Sequence, residues 1–164
     1  MSTKTITVMP RKLIQDTYFT KPTAIISIRS PGGAKTDFSS RGPVLKILRL
    51  EFSDSTPEEG VRRFARGEPL PEGFVVRHFD AHDAAWSAKH AEAHFRDANL
   101  PLFIHCLGGI SRSTALAQAL GEFYGAEIAH VGPYWDPNPH VYKVMHDYLR
   151  RDMPRDEFLH GSAT

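Results

Sequence analysis

Apolar residues fall in short runs along the chain, and the spacing inside each run predicts the element it forms. Ile6–Met9 reads as a short strand expected at a sheet edge, and Ala24–Ile28 (Ala-Ile-Ile-Ser-Ile) is a β-branched, buried-strand pattern. Pro31-Gly32-Gly33 marks a surface turn, because no helical pattern follows that would make it a phosphate loop. Val44–Phe52 reads as a strand with Val44, Leu48, Leu50 and Phe52 on one side, closing at Ser53-Asp54-Ser55. Residues 55–79, rich in proline and glycine, show little periodicity and read as a long irregular excursion, of a length that often serves as a lid. Asp80 then caps a helix whose apolar stripe is Ala81, Ala84, Ala88, Ala91, Phe95 and Ala98, ending near Asn99 ahead of Pro101. Residues 101–105 form a buried strand. The helix over 112–124 turns Leu116, Ala119, Leu120 and Phe123 inward and stops at Gly125. A last helix has Asn138 as cap and Pro139 at its first position, and packs Val141, Val144, Met145 and Tyr148. The tail beyond Arg151 is expected to be loose.

Strands that alternate with helices predict an α/β fold: one domain over residues 1–164, with a core of about 4–151 and a central, mostly parallel sheet flanked by helices. In such sheets ligands bind at the carboxyl ends of the strands. A chain of 164 residues is long enough to bury a substantial core without staples. Its 20 basic and 19 acidic residues leave it near neutrality, which argues against a nucleic-acid partner. No apolar run reaches signal-peptide or membrane-spanning length, so a cytoplasmic protein with no membrane partner is expected. A single cysteine excludes an internal disulfide and suits a reducing compartment. Oligomeric state is not readable from these features.

That cysteine sits in the run His105-Cys106-Leu107-Gly108-Gly109-Ile110-Ser111-Arg112-Ser113-Thr114, between the strand over 101–105 and the helix over 112–124. A tight strand-to-helix loop of this kind is an anion site. Gly108 and Gly109 let successive N–H groups turn toward one centre, and the helix start adds its partial positive charge. The same field favours the thiolate of Cys106, the nucleophilic form. Arg112 can offer two parallel N–H donors to two oxygens of a tetrahedral anion, which a lysine cannot copy. The Ser113 hydroxyl can donate to the sulfur, and His105 is placed to brace the loop backbone.

The motif His-Cys-x5-Arg-Ser/Thr, here HCLGGISRST, resembles the signature of the cysteine-dependent protein tyrosine phosphatases, most of all the small dual-specificity type and its bacterial relatives. Strand and helix order extends the likeness loosely from about Thr23 to about Arg150. The resemblance implies Cys106 as nucleophile, Arg112 as phosphate clamp, Ser113 as thiolate partner and Leu107, Gly108, Gly109, Ile110 and Ser111 as the amide cradle, with neither cofactor nor metal. It implies hydrolysis of phosphotyrosine in a protein or peptide, with phosphoserine and phosphothreonine as further candidates.

Expulsion of an alkoxide or phenoxide calls for a proton donor. In that family an aspartate supplies it, from a loop that follows the strand next to the nucleophile strand and precedes a helix. Spacing points to Asp80 or Asp83, which lie 26 and 23 residues before Cys106. Topology favours Asp54, which directly follows a strand and precedes the 55–79 insertion. Two other readings stay open: a phosphatase-like module that binds phosphoproteins with little turnover, and a phosphoinositide or RNA 5′-phosphate phosphatase. The absence of an extra cation in 107–111 ranks the latter lower. Elsewhere, His90 and His94 read as a solvated helix face rather than metal ligands. Arg62, Arg63 and Arg66 read as solvated, and Tyr134 and Trp135 as packing residues in a proline-rich loop.

Overall fold

In the computed structural model, which describes residues 4–38, 42, 45–68, 75–96 and 100–153, five strands form one all-parallel sheet. The elements in chain order are β1 (Thr5–Pro10), α1 (Arg11–Gln15), β2 (Thr23–Arg29), β3 (Leu45–Glu51), α2 (Pro57–Ala65), α3 (Ala81–Arg96), β4 (Leu102–Cys106), α4 (Arg112–Tyr124), β5 (Glu127–His130) and α5 (Pro139–Asp152). The sheet order is β3-β2-β4-β1-β5, which puts β4 at the centre. All carboxyl ends therefore open on one edge, where Pro10, Arg29, Glu51, Cys106 and His130 end their strands.

Period-two alternation assigns side chains to the two faces. Ile6, Val8, Ala24, Ile26, Ile28, Leu102 and Ile104 join a core with Ala84 and Ala88 of α3, Leu116 and Leu120 of α4, and Val141 and Met145 of α5. On the opposite face Met9 and Ile25 pack with Ile14, Phe19 and Phe38 in a smaller cluster. Among the described residues no helix is long and apolar enough to cross a membrane.

Several expectations need correction. β1 is not an edge strand; it pairs with β4 on one side and β5 on the other, and Ile6 and Val8 are fully buried. The 55–79 stretch is not uniformly irregular, because α2 occupies its first half. Thr56 Oγ1 accepts from Glu59 N at 3.2 Å, the Glu59 side chain accepts from Thr56 N, and Pro57 stands at the first helical position. That capping box is local sequence information that the surrounding prolines and glycines obscure. The buried side of α3 keeps Ala84, Ala88 and Ala91 of the expected stripe, with Phe95 packed against the core, but Ala81 is exposed and Asp83, Ser87 and His94 are buried as well. His94 is thus no solvated residue, and its Nδ1 meets the Leu100 carbonyl. His90 Nε2 donates to Lys46 O at 2.9 Å. Tyr134 packs little and is largely exposed, whereas Trp135 meets the His130 ring edge to face at 5.2 Å. In α5 the expected residues pack, Val141 and Met145 buried and Val144 and Tyr148 partly covered against the same core, and Leu149 is buried with them. Val44, Ala98, the expected helix end at Asn99 and the tail from 154 onward lie outside the described residues.

Candidate active site

Cys106 ends the central strand, and Arg112 opens α4 after five intervening residues. The intervening loop is held by its carbonyls, nearly every one of which points outward to a protein donor. Leu107 O accepts from Arg11 N at 3.2 Å, and Ile110 O from Asp136 N at 3.0 Å. Gly109 O accepts from His130 Nε2 at 2.9 Å. Ser111 O accepts from Asn138 N at 3.0 Å. In a trans peptide the next residue's N–H points opposite the carbonyl, so these contacts turn the N–H groups of Gly108, Ile110, Ser111 and Arg112 away from those donors. Among the described residues, the amides of Leu107–Ser111 donate to no protein acceptor. Gly109 makes the turn possible at φ +66°, and a Cβ there would stand 2.7 Å from Pro10 N and 2.9 Å from Met9 C. Only glycine fits so close to the β1–α1 junction.

Both polar side chains that serve the loop are buried. Arg112 is 5% exposed; its Nη1 donates to Ser30 Oγ and to Phe52 O, each at 3.0 Å, while its Nε is buried with no hydrogen-bond partner. The two anchors fix the guanidinium plane and leave the edge carrying Nε uncommitted. An unpaired buried cationic donor is costly, and an oxyanion in the loop is the partner that would satisfy it. Cys106 is 3% exposed, and its Sγ lies 3.1 Å from Ser113 Oγ.

His105 braces the loop as expected. Its Nε2 is 2.7 Å from Ser27 Oγ and its Nδ1 is 3.3 Å from Cys106 O. A neutral ring satisfies both contacts only with its proton on Nδ1, donating to the carbonyl and accepting from the serine hydroxyl. Burial, opposed by the Cys106 carbonyl and reinforced by nearby arginines, pushes its pKa down to about 4.

Asp54 is brought to this loop and the other two aspartates are not. Asp54 Oδ1 accepts from Ser111 Oγ at 2.7 Å and from Asn138 Nδ2 at 3.2 Å, and its main-chain oxygen accepts from the same Nδ2 at 2.9 Å. Among the described residues Oδ2 has no protein partner. Asp80 and Asp83 instead cap α3 reciprocally, each side chain accepting from the other's N–H at 3.0 Å, and both engage Arg77. Burial raises the Asp83 pKa against the pull of Arg77. The topological premise also changes: β2, not β3, neighbours β4. Asp54 leaves the edge strand and reaches the loop through Ser111 and Asn138.

Asp54, Cys106, Leu107, Gly108, Ile110, Ser111 and Arg112 line one open cleft of 540 Å³. Three further residues surround the site, and the part each plays there carries no clear signal in the sequence. Asp136, exposed on the β5–α5 connection, lines the cleft with its carboxylate unpaired among the described residues. Ser30 follows β2 and anchors Arg112. Asn138 is legible as the α5 cap, since Oδ1 accepts from His140 N and Val141 N. Its hold on Asp54 spans 84 positions and leaves no local mark.

No protein-family model, no curated protein and no solved structure matches this chain. The chemistry of the loop therefore rests on the residues themselves.

Proposed function

We propose that the protein is a phosphomonoesterase that works through a phosphocysteine, with phosphotyrosine in a protein or peptide as its substrate class. The observation that carries this reading is the meeting of three groups in one cleft. They are the Cys106 sulfur beside a hydroxyl, the loop amides of Leu107–Ser111 without acceptors among the described residues, and the buried Arg112 whose Nε lacks a partner. A tetrahedral dianion supplies what each of them lacks.

In this mechanism the Cys106 thiolate attacks phosphorus and the P–O bond to the substrate breaks. The leaving oxygen takes a proton from Asp54 Oδ2. Water then attacks the phosphocysteine, gives its proton to the same carboxylate, and phosphate leaves as the S–P bond breaks. Ser113 Oγ donates to the departing thiolate. The amides of 107–112 and Arg112 carry the charge of both transition states, since positioning and electrostatics dominate phosphoryl transfer. Asp136 is the rival donor, because it opens on the same cleft.

The test is hydrolysis of an aryl phosphate in the presence of a chelator, its inhibition by vanadate, and its loss in Cys106→Ser. Undiminished turnover by Cys106→Ser would falsify the mechanism.

A further inference from the structure

Asp54 stands between two cavities. On one side is the cleft that holds Cys106 and Arg112; on the other is a groove of 680 Å³ that begins at Ser53–Ser55 and runs under α2. Attack by sulfur places the leaving oxygen opposite Cys106, and protonation by Asp54 places that oxygen against the carboxylate. Whatever is attached to the leaving oxygen therefore continues past Asp54 into the groove.

The groove is apolar where α2 overhangs it. Phe64 is 89% exposed and Val75 62% exposed, and they line it with Pro31 and Val76. α2 is amphipathic yet buries none of its own residues, and its nine residues hold together through the Thr56–Glu59 capping box. So short a helix gains its stability from packing of its apolar side, and here Phe64 from that side lines the groove beside Glu59, Gly60 and Arg63. An exposed apolar surface rimmed by polar residues marks a binding site.

We propose that this groove receives the apolar side chain adjacent to the phosphorylated residue of a peptide substrate, and that Phe64 is the specificity-determining contact. The proposal rests on the phosphomonoesterase reading. A peptide suits the groove better than a lipid. Its rim carries both signs, Glu59 and Glu68 with Arg63, and Leu107–Ser111 contains no cation to pair with an anionic headgroup.

The experiment compares kcat/KM for phosphotyrosine peptides carrying Leu or Gly on one side or the other of the phosphorylated residue, with wild type, Phe64→Ala and Phe64→Leu. Wild type is expected to favour a Leu peptide by roughly tenfold. Phe64→Ala should bring that ratio near one, and Phe64→Leu should largely restore it. Equal rates for all peptides with wild type, or an unchanged ratio in Phe64→Ala, overturns the proposal. So does a wild-type preference for a phosphatidylinositol phosphate in phosphatidylcholine vesicles over every peptide. Failure of wild type to hydrolyse p-nitrophenyl phosphate removes the phosphomonoesterase reading itself, and the groove assignment with it.

Discussion

The Asp54 carboxylate accepts a 2.7 Å hydrogen bond from Ser111 Oγ, across 57 positions of sequence. Ser111 occupies the N-cap of α4, yet makes no capping hydrogen bond with its side chain. A serine there ordinarily turns its hydroxyl onto the helix amides. In this protein the hydroxyl is spent on the carboxylate, which leaves those amides without a side-chain cap and ties Asp54 to the loop.

Asp54→Ala is therefore expected to lower kcat by about a hundred- to ten-thousandfold for a phosphate ester with a poor leaving group, and by much less for one with a good leaving group. Asp136→Ala should keep the flat leaving-group dependence of the wild type. Rates across a series of substituted phenyl phosphates check this, and the reverse pattern reassigns the proton donor to Asp136.

Asn138 joins α5 to Asp54 and to the loop, so its replacements separate two roles. Asn138→Ala loses the cap and should cost about 1 kcal/mol of stability or more. Asn138→Asp keeps an oxygen that accepts from His140 N and Val141 N, but sets a second carboxylate beside Asp54. Thermal unfolding should rank wild type, then Asp, then Ala. Both variants should lose activity toward poor leaving groups; full activity of Asn138→Asp would show that its amide does not position Asp54.

The loop was legible because it is local. Cys106 and Arg112 are separated by five residues between a strand and a helix, and each of those elements announces itself by periodicity. What holds Asp54 to the loop was not, because Ser111–Asp54 and Asn138–Asp54 are long-range contacts that no spacing records. The α3 face was misread for a different reason. Ser87 and His94 look polar in sequence, but Ser87 Oγ donates to Asp83 O and His94 meets Leu100 O, so backbone partners let both be buried. α2 was missed although Thr56-Pro57-Glu58-Glu59 states its start.

His105 makes stability depend on pH. Its pKa is near 4 in the folded protein and 6.5 ordinarily. Above about 6.5 the ring is neutral in both states. As pH falls from there toward 4, the unfolded chain gains a proton that the folded one refuses, so stability drops by about 3 kcal/mol in full. His90 and His94, also lowered by burial, act with the same sign. Denaturant unfolding between pH 7 and 4 should show a shallower loss in His105→Gln than in wild type. Identical slopes would place the proton elsewhere.

Gly109→Ala tests the loop without touching a reactive group. At φ +66° with backbone atoms of Met9 and Pro10 under 3.0 Å from the new carbon, the loop must shift. A cost of about 1–3 kcal/mol is expected, with loss of vanadate affinity in the protein that remains folded. Unchanged affinity would mean that the amides do not form the anion site.

The most direct measurement of the central claim is mass spectrometry of the protein after rapid acid quench during turnover of an aryl phosphate. The phosphocysteine mechanism predicts one added phosphoryl group, mapped to Cys106 and absent from Cys106→Ser. Steady turnover with no phosphorylated Cys106, retained in Cys106→Ser, would contradict it.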